Sequence, residues 1–375
     1  MSRVAIALPL IITILAPVAC CGAADFQHPT LPLGFCAPPF SLPGVDGRNY
    51  ALKDFAHAKI LVVVFTCNHC PTAQYYEERL KQLVTDYRDK GVAVVTIMPN
   101  DPNSVRLDEL GWTDLGDSFE EMKVRARDRQ FNFPYLYDGE TEGAARAYGP
   151  VATPHVFVFD SVRKLRYVGA VDDAERVQQV SKRYLRDALE ALLAGQEPPV
   201  TKTKAVGCSV KWAGKADSVK AYMERLAAEP VSLAPADGDA LKALRQNPSG
   251  KFRLVNFWAT WCAPCVAEFH ELVTINRMYR HRDFEVVTVA VNRPEQEKEV
   301  LAFLKEKQAS FKNFIFASAD REKLIDAFDP EWQGAVPYTV LIAPDGTVLY
   351  RETDRIEPLT LKRTIVRALN EKKPW

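Results

Sequence analysis

The chain contains two C-x-x-C pairs, and each lies between an apolar, strand-like run and a helical pattern. The first pair is Cys67 and Cys70 (CNHC), and the second is Cys262 and Cys265 (CAPC). Backbone N–H groups and the helix dipole favour a thiolate at the N-terminus of a helix. The thiolate is the form of cysteine that attacks disulfides. The sequence therefore predicts thiol–disulfide chemistry at two places.

The two pairs belong to a repeated order of elements. Each pair follows an apolar strand candidate, residues 60–65 or 252–257, and leads through a helix to another, residues 92–97 or 286–291. Strands that alternate with helices indicate an α/β fold. We therefore predict an internal duplication in which each half has a central mixed β-sheet flanked by helices.

Around the dithiols the sequence resembles the thioredoxin superfamily, in its TlpA-like (redoxin) branch. Residues 257–265 (FWATWCAPC) look like the active-site signature of that branch, whereas the first site lacks the tryptophan before Cys67. The resemblance implies two tandem thioredoxin-like domains and a cis-proline facing each dithiol. Pro154 and Pro337 each stand directly before a strand candidate, where a cis-proline is sterically tolerable. They are the expected cis-prolines.

The duplication and the resemblance divide the chain into four segments. We expect a signal peptide at 1–24, a first thioredoxin-like domain at 25–212, a linker helix at 213–230 and a second thioredoxin-like domain at 231–375. The leader has Arg3, an apolar run too short for a stable membrane span and a cluster of small residues. Its removal implies a periplasmic or otherwise extracytoplasmic location, where disulfides persist.

Cys20 adds a second reading of the N-terminus. It follows the small residue Ala19, as the lipidated cysteine of a bacterial lipoprotein does, although Pro17 stands where such signals usually carry an aliphatic residue. We expect contact with a membrane only if Cys20 is lipidated.

Composition excludes several classes of function. The 375 residues include 48 basic and 48 acidic side chains, so the formal net charge is zero. A neutral chain has no basic field for nucleic acid. The sequence contains no G-x-G-x-x-G, P-loop, H-E-x-x-H or G-x-S-x-G motif, so we expect neither a cofactor nor a catalytic metal.

The order of the cysteines predicts their roles. Cys262, the more N-terminal of its pair, is expected to attack, and Cys265, about one helical turn inside, to resolve the mixed disulfide. Cys67 and Cys70 are expected to play the same parts in the first domain. A zinc site is the competing use of two C-x-x-C pairs, but the halves of such sites usually lie closer in sequence.

Two further side chains are candidates at the dithiols. Glu268 lies one turn beyond Cys265; the resemblance implies that it tunes cysteine acidity and proton transfer, and the alternative is a solvated carboxylate. His69 resembles the histidine of strongly oxidising periplasmic disulfide donors. As an imidazolium it would stabilise a nearby thiolate, and the alternative is an exposed turn residue.

Cys36 and Cys208 lie outside both motifs. They are expected either to pair with each other or to be small buried hydrophobic residues, because connectivity cannot be read from sequence.

Three functions fit these observations. The first is disulfide exchange with protein thiols or disulfides, with a membrane electron donor as one candidate partner. The second is a peroxiredoxin-like thiol peroxidase, although Val64 and Ala259 stand where that family has a threonine. The third is a dithiol metallochaperone binding a soft metal, for which the sequence lacks a Met- and His-rich tract.

Overall fold

The computed structural model describes residues 28–372. The expected signal peptide and Cys20 lie outside these residues. None of the helices between residues 28 and 372 is long and apolar enough to cross a bilayer.

The first half of the chain forms a five-stranded mixed sheet with helices on its faces. Its elements are β1 (Ser41–Pro43), β2 (Asn49–Ala51), β3 (Ile60–Phe65), α1 (Pro71–Tyr87), β4 (Val92–Met98), α2 (Phe119–Asp128), β5 (Tyr135–Tyr137), α3 (Gly143–Tyr148), β6 (Ala152–Thr153), β7 (His155–Phe159), β8 (Leu165–Gly169), α4 (Tyr184–Leu193) and β9 (Cys208–Ser209). The strand order is β5-β4-β3-β7-β8. Strands β3, β4 and β5 run parallel, and β7 and β8 are antiparallel to their neighbours.

The second half repeats this order and adds one edge strand. After α5 (Ala216–Ala227), its elements are β10 (Ala234–Ala236), α6 (Gly238–Gln246), β11 (Phe252–Trp258), α7 (Ala263–Tyr279), β12 (Phe284–Ala290), α8 (Glu297–Glu306), β13 (Lys312–Phe316), α9 (Arg321–Phe328), β14 (Tyr338–Ile342), β15 (Val348–Thr353) and α10 (Pro358–Lys372). The strand order is β10-β13-β12-β11-β14-β15. Both halves thus have the predicted α/β fold with a central mixed sheet.

The central strand of each sheet is buried on both faces. Along β3, Leu61 and Val63 pack into one apolar cluster while Val62 and Val64 pack into another. A strand covered on both faces reads as a continuous apolar run, which is why β3 and β11 were recognisable in the sequence. Each dithiol follows the carboxyl end of such a strand, so the rigid centre of the sheet fixes its position.

One predicted helix begins later than the sequence suggested. The amphipathic pattern of residues 177–194 predicts one long helix, but α4 starts at Tyr184, and residues 177–179 form only a short 3₁₀ turn. The carboxylate of Asp173 accepts hydrogen bonds from the backbone N–H groups of Ser181 and Lys182. These side-chain bonds compete with helical ones for the same donors and hold the segment as a loop.

Candidate functional site

Two cis-peptide bonds face the two dithiols. The Thr153–Pro154 and Val336–Pro337 bonds are both cis, as the sequence analysis expected. The strand after each proline pairs with the strand that precedes the dithiol: His155 lies opposite Phe65, and Tyr338 lies opposite Phe257. Each C-x-x-C pair therefore lies between a helix N-terminus and a cis-proline loop.

In the second half, Cys262 and Cys265 form a disulfide with an S–S distance of 2.07 Å. Cys262 is the N-cap of α7, and its Sγ accepts a hydrogen bond from the backbone N–H of Cys265 at 3.3 Å. The same Sγ lies 3.5 Å from the carbonyl oxygen of Val336, directly before the cis-proline. The helix N-terminus thus favours negative charge on Cys262.

The surface beside this disulfide is open. Trp261, which directly precedes Cys262, is 54% exposed. It lines a groove of about 750 Å³ together with Asn292, Arg293 and Phe316. An exposed tryptophan next to a reactive sulfur offers apolar contact area to a partner protein.

Glu268 is buried, so the alternative of a solvated helix carboxylate is wrong. Its Oε1 accepts a hydrogen bond from Asn256 Nδ2 at 3.2 Å, and its Oε2 accepts one from the backbone N–H of Ile356 at 2.8 Å. Burial raises the pKa of Glu268, although these two bonds oppose the shift. A carboxyl group in this environment can exchange a proton nearer neutral pH than an exposed one.

In the first half, Cys67 and Cys70 are both buried free thiols. Cys67 Sγ lies 3.1 Å from Thr153 Oγ1, and Cys70 Sγ lies 3.2 Å from the Thr153 carbonyl oxygen. The backbone N–H of Ala73 donates to Cys70 Sγ at 3.4 Å. Thr153, directly before the cis-proline, therefore contacts both thiols.

The stabilised thiolate of this pair is Cys70, which differs from the expectation that Cys67 plays the part of Cys262. Helix α1 begins at Pro71, so Cys70 and not Cys67 is its N-cap. Burial opposes charge on Cys70, but hydrogen bonds from the side chains of Cys208 and Cys67 and from the Ala73 N–H hold its pKa well below the usual range. Burial, Cys70 and the charge of Asp117 raise the pKa of Cys67.

His69 is buried against a carboxylate, so the alternative of an exposed turn residue is wrong. Its Nδ1 lies 2.6 Å from Asp117 Oδ2. Burial lowers the pKa of His69, but the charge and hydrogen bond of Asp117 outweigh this effect and raise it. When His69 is protonated, the charge of Asp117 compensates it, so His69 acts on the thiols more weakly than a free cation would.

Asp117 organises the whole first site, and the sequence analysis missed it. Its Oδ1 accepts the backbone N–H groups of Asn68 at 2.9 Å and His69 at 3.1 Å, and its Oδ2 also accepts Asn100 Nδ2 at 2.7 Å. Burial would raise the pKa of Asp117, but His69 and these donors hold it below the usual range. In the sequence, Asp117 stands directly before Ser118, the N-cap of α2. That position indicates the start of a helix and not a role at the dithiol.

Cys36 and Cys208 do not pair. Both are free thiols: Cys36 is exposed in a bridge with Lys164, and Cys208 is half-buried opposite Thr153. Cys208 instead lies against Cys70, with its backbone N–H 3.2 Å from Cys70 Sγ.

Known proteins resemble both halves of the chain. The AhpC/TSA family matches residues 33–168, and the Redoxin family matches residues 227–364. The chain is 34% identical over 100 residues to "Thiol-disulfide oxidoreductase ResA" of Bacillus subtilis (strain 168), covering 27% of this chain and 51% of that protein. It is 27% identical over 129 residues to "Thiol:disulfide interchange protein CycY" of Rhizobium leguminosarum bv. viciae, covering 32% of this chain and 60% of that protein.

The chain thus spans about half the length of the curated relatives it matches. Among solved structures, an uncharacterized conserved protein from Geobacillus kaustophilus is 38% identical, and the match covers 50% of this chain and 95% of that one with a TM-score of 0.44. The AhpC/TSA match covers the strands of the first sheet, and the Redoxin match covers the strands of the second. The chain therefore belongs to the thioredoxin-like superfamily, in its redoxin branch, and carries two such domains in tandem.

Proposed function

We propose that this chain is an extracytoplasmic thiol:disulfide oxidoreductase that exchanges disulfides with protein partners through two dithiols. We divide it into a leader at 1–24, domains at 25–212 and 231–375, and a joining helix at 213–230. One observation carries the proposal: each C-x-x-C pair lies between a helix N-terminus and a cis-proline loop. Such a site favours a thiolate, the form of cysteine that attacks a partner disulfide.

The residues of the second domain divide the reaction between them. Cys262 attacks the partner disulfide, and Cys265 resolves the mixed disulfide. Glu268, buried one turn along the helix, exchanges the proton that the resolving thiol must lose. Pro337 fixes the loop against Cys262, and Trp261 contacts the partner. In the first domain, Pro154 holds Thr153 against both Cys67 and Cys70, and the His69–Asp117 pair fixes the turn between the two cysteines.

A disulfide-reduction assay tests this function. The full-length protein is supplied with dithiothreitol and insulin, and turnover is compared among the wild type, the Cys67→Ser/Cys70→Ser variant, the Cys262→Ser/Cys265→Ser variant and the variant that lacks all four cysteines. We expect the first three to reduce insulin faster than dithiothreitol alone and the last to give only the uncatalysed rate, because thiolates carry the exchange. Equal turnover in the wild type and in the variant that lacks all four cysteines would contradict the proposal.

A peroxidase is the second candidate, because the match to the AhpC/TSA family covers the first domain. Consumption of hydrogen peroxide by the reduced protein tests it directly. Val64 and Ala259 occupy the positions, three before Cys67 and Cys262, where a peroxidatic site has a threonine. We therefore expect hydrogen peroxide to be consumed slowly compared with the rate of disulfide exchange.

A metal site is the third candidate, because ligand atoms of Cys67, His69 and Asp117 lie within 4.8 Å of one another. His69 Nε2 finds no hydrogen-bond partner among residues 28–372. Both Asp117 oxygens, however, already accept N–H donors. Metal analysis of the reduced protein decides this candidate, and a stoichiometric soft metal would favour it.

The two dithiols are expected to differ in reduction potential, with the first more oxidising by ~30 mV or more, which corresponds to about 1.4 kcal/mol. Hydrogen bonds stabilise the Cys70 thiolate and so the reduced form, whereas Ala263 and Pro264 offer the second pair neither a charge nor a side-chain donor. Electrons would then flow from Cys262 and Cys265 to the first pair. Glutathione titration of full-length variants that each retain one dithiol measures this, and equal potentials or the reverse order would refute it. The His69→Ala variant then reports the contribution of the imidazole.

A further inference from the structure

A third sulfur lies at the first dithiol. Strand β9 pairs antiparallel with β6, so that Cys208 is opposite Thr153, the residue before the cis-proline. The backbone N–H of Cys208 donates to Cys70 Sγ at 3.2 Å, and Thr153 Oγ1, which contacts Cys67, lies 3.5 Å from the Cys208 carbonyl oxygen. Cys67, Cys70 and Cys208 therefore all lie next to Thr153.

The chain approaches this point closely because of one glycine. Gly207 has φ of +150°, and a Cβ atom there would lie 1.8 Å from the Thr153 carbonyl oxygen. Only glycine fits such an approach, and it brings the following residue, Cys208, against the dithiol. The backbone edge beside Pro154 is therefore occupied by the chain's own strand.

Cys208 is more exposed to solvent than Cys67 and Cys70. Cys67 is 3% exposed and Cys70 is fully buried, whereas Cys208 is half-buried between exposed residues at 206, 207 and 209. A partner thiol therefore reaches Cys208 more readily than it reaches either member of the C-x-x-C pair.

We propose that Cys208 is a third redox cysteine, which carries the buried Cys67–Cys70 disulfide to the surface of the first domain. The Cys208 thiolate attacks Cys70 Sγ, the S–S bond between Cys67 and Cys70 breaks, and a bond between Cys70 and Cys208 forms. Cys67 leaves as a thiolate and takes up the proton that Cys208 lost. One disulfide replaces another, so the step needs neither an oxidant nor a reductant.

The new disulfide is suited to attack from outside. A partner thiolate attacks the half-buried Cys208 Sγ, and Cys70 leaves. Because exchange is faster when the leaving thiol has a low pKa, the hydrogen bonds that hold the pKa of Cys70 down also make it a good leaving group. In the reduced site, the hydrogen bond to Cys70 and burial raise the pKa of Cys208, so Cys208 is protonated again once the site has been reduced. This second step rests on the function proposed above.

Disulfide mapping tests the proposal in the full-length protein. Trypsin releases Cys67 and Cys70 in the fragment 60–79 and Cys208 in the fragment 205–211. The Cys67→Ser variant is oxidised with glutathione disulfide, quenched in acid and digested. We expect fragments 60–79 and 205–211 to be joined by a Cys70–Cys208 bond, and each such bond releases two glutathione thiols. The Cys70→Ser variant should give much less of this joined pair, because the contacts of Cys208 are with Cys70.

A kinetic arm separates this proposal from the function it rests on. Cys208→Ser should slow reduction of the Cys67–Cys70 disulfide by a protein dithiol about tenfold or more and leave the Cys262–Cys265 disulfide unaffected. Cys36→Ser is the matched control and should change neither rate. Unlinked fragments in oxidised Cys67→Ser, or an unchanged rate in Cys208→Ser while exchange persists, would overturn the third-cysteine proposal alone. A joined pair in a protein that exchanges no disulfide would instead overturn the proposed function.

Discussion

Replacing Cys262 by serine is expected to lower disulfide exchange at the second site by about 1,000-fold or more, because a serine hydroxyl does not replace the attacking thiolate. Cys262 is the N-cap of α7, and its Sγ faces the loop of the second cis-proline. Cys265 lies one turn deeper and is fully buried, so it cannot take over the attack. The rate is measured in a Cys67→Ser/Cys70→Ser background, where only the second site turns over.

The same substitution in the otherwise unchanged chain tests whether the two sites are independent. Each dithiol has its own strand, helix and cis-proline loop. We therefore expect Cys67 and Cys70 to remain reducible in the Cys262→Ser variant, as shown by differential alkylation of fragment 60–79 after mild reduction. If these cysteines resisted reduction under every native condition, the first domain would have no part in the mechanism. Cys36→Ser, which removes an exposed thiol far from both motifs in sequence, serves as the control.

The sequence predicted the parts of the fold that local patterns determine. Apolar runs buried on both faces marked β3 and β11, and the resemblance together with the strand that follows each proline marked Pro154 and Pro337. The same local reasoning placed both dithiols at helix N-termini but did not show that the two helices begin at different positions within their motifs. That offset of the cap moves the stabilised thiolate of the first site from Cys67 to Cys70.

The remaining features depend on contacts between residues far apart in sequence. Asp117 comes from a loop before α2, and its four donors belong to the dithiol turn and to the loop that follows β4. Cys208 comes from a two-residue strand after α4. Neither residue carries a local motif, because a buried acceptor and a third thiol are defined by what surrounds them in the folded chain. Sequence reasoning therefore considered Cys208 only as a partner for Cys36 or as a small buried hydrophobic residue.

The Asp117→Ala substitution is expected to destabilise the first domain by about 3–5 kcal/mol, the usual cost of removing one partner of a buried ion pair. His69 would be left buried without its counter-charge, and the backbone N–H groups of Asn68 and His69 would lose their acceptor. Hydrogen exchange of fragment 60–79 at increasing urea concentrations measures the free energy of opening of this domain. Asp89→Ala, which removes a fully solvated carboxylate from the same domain, should change it by less than about 0.5 kcal/mol.

The effect of this substitution should depend on pH in a defined direction. The pKa of Asp117 is lowered in the folded state, so its contribution is present above its unfolded pKa of about 3.9 and is lost as the pH falls through the folded value. The pKa of His69 is raised, so its contribution is complete below its unfolded pKa of about 6.5 and is lost as the pH rises through the folded value. The difference between wild type and Asp117→Ala should therefore be largest between about pH 4 and pH 6.5.

The Asp117→Asn variant separates charge from hydrogen bonding at this position. Asparagine keeps one acceptor for the Asn68 and His69 N–H groups but removes the charge that holds the proton on His69. It also turns an NH₂ group towards Asn100 Nδ2, where the wild type has an acceptor. We expect a smaller loss of stability than in Asp117→Ala. The stability of the Asp117→Asn variant itself should show no maximum between about pH 4 and pH 6.5, because the ion pair that produces it is absent. A pH profile in Asp117→Asn that matches the wild type would show that the pair is not ionised, and that Asp117 stabilises the dithiol turn through its hydrogen bonds alone.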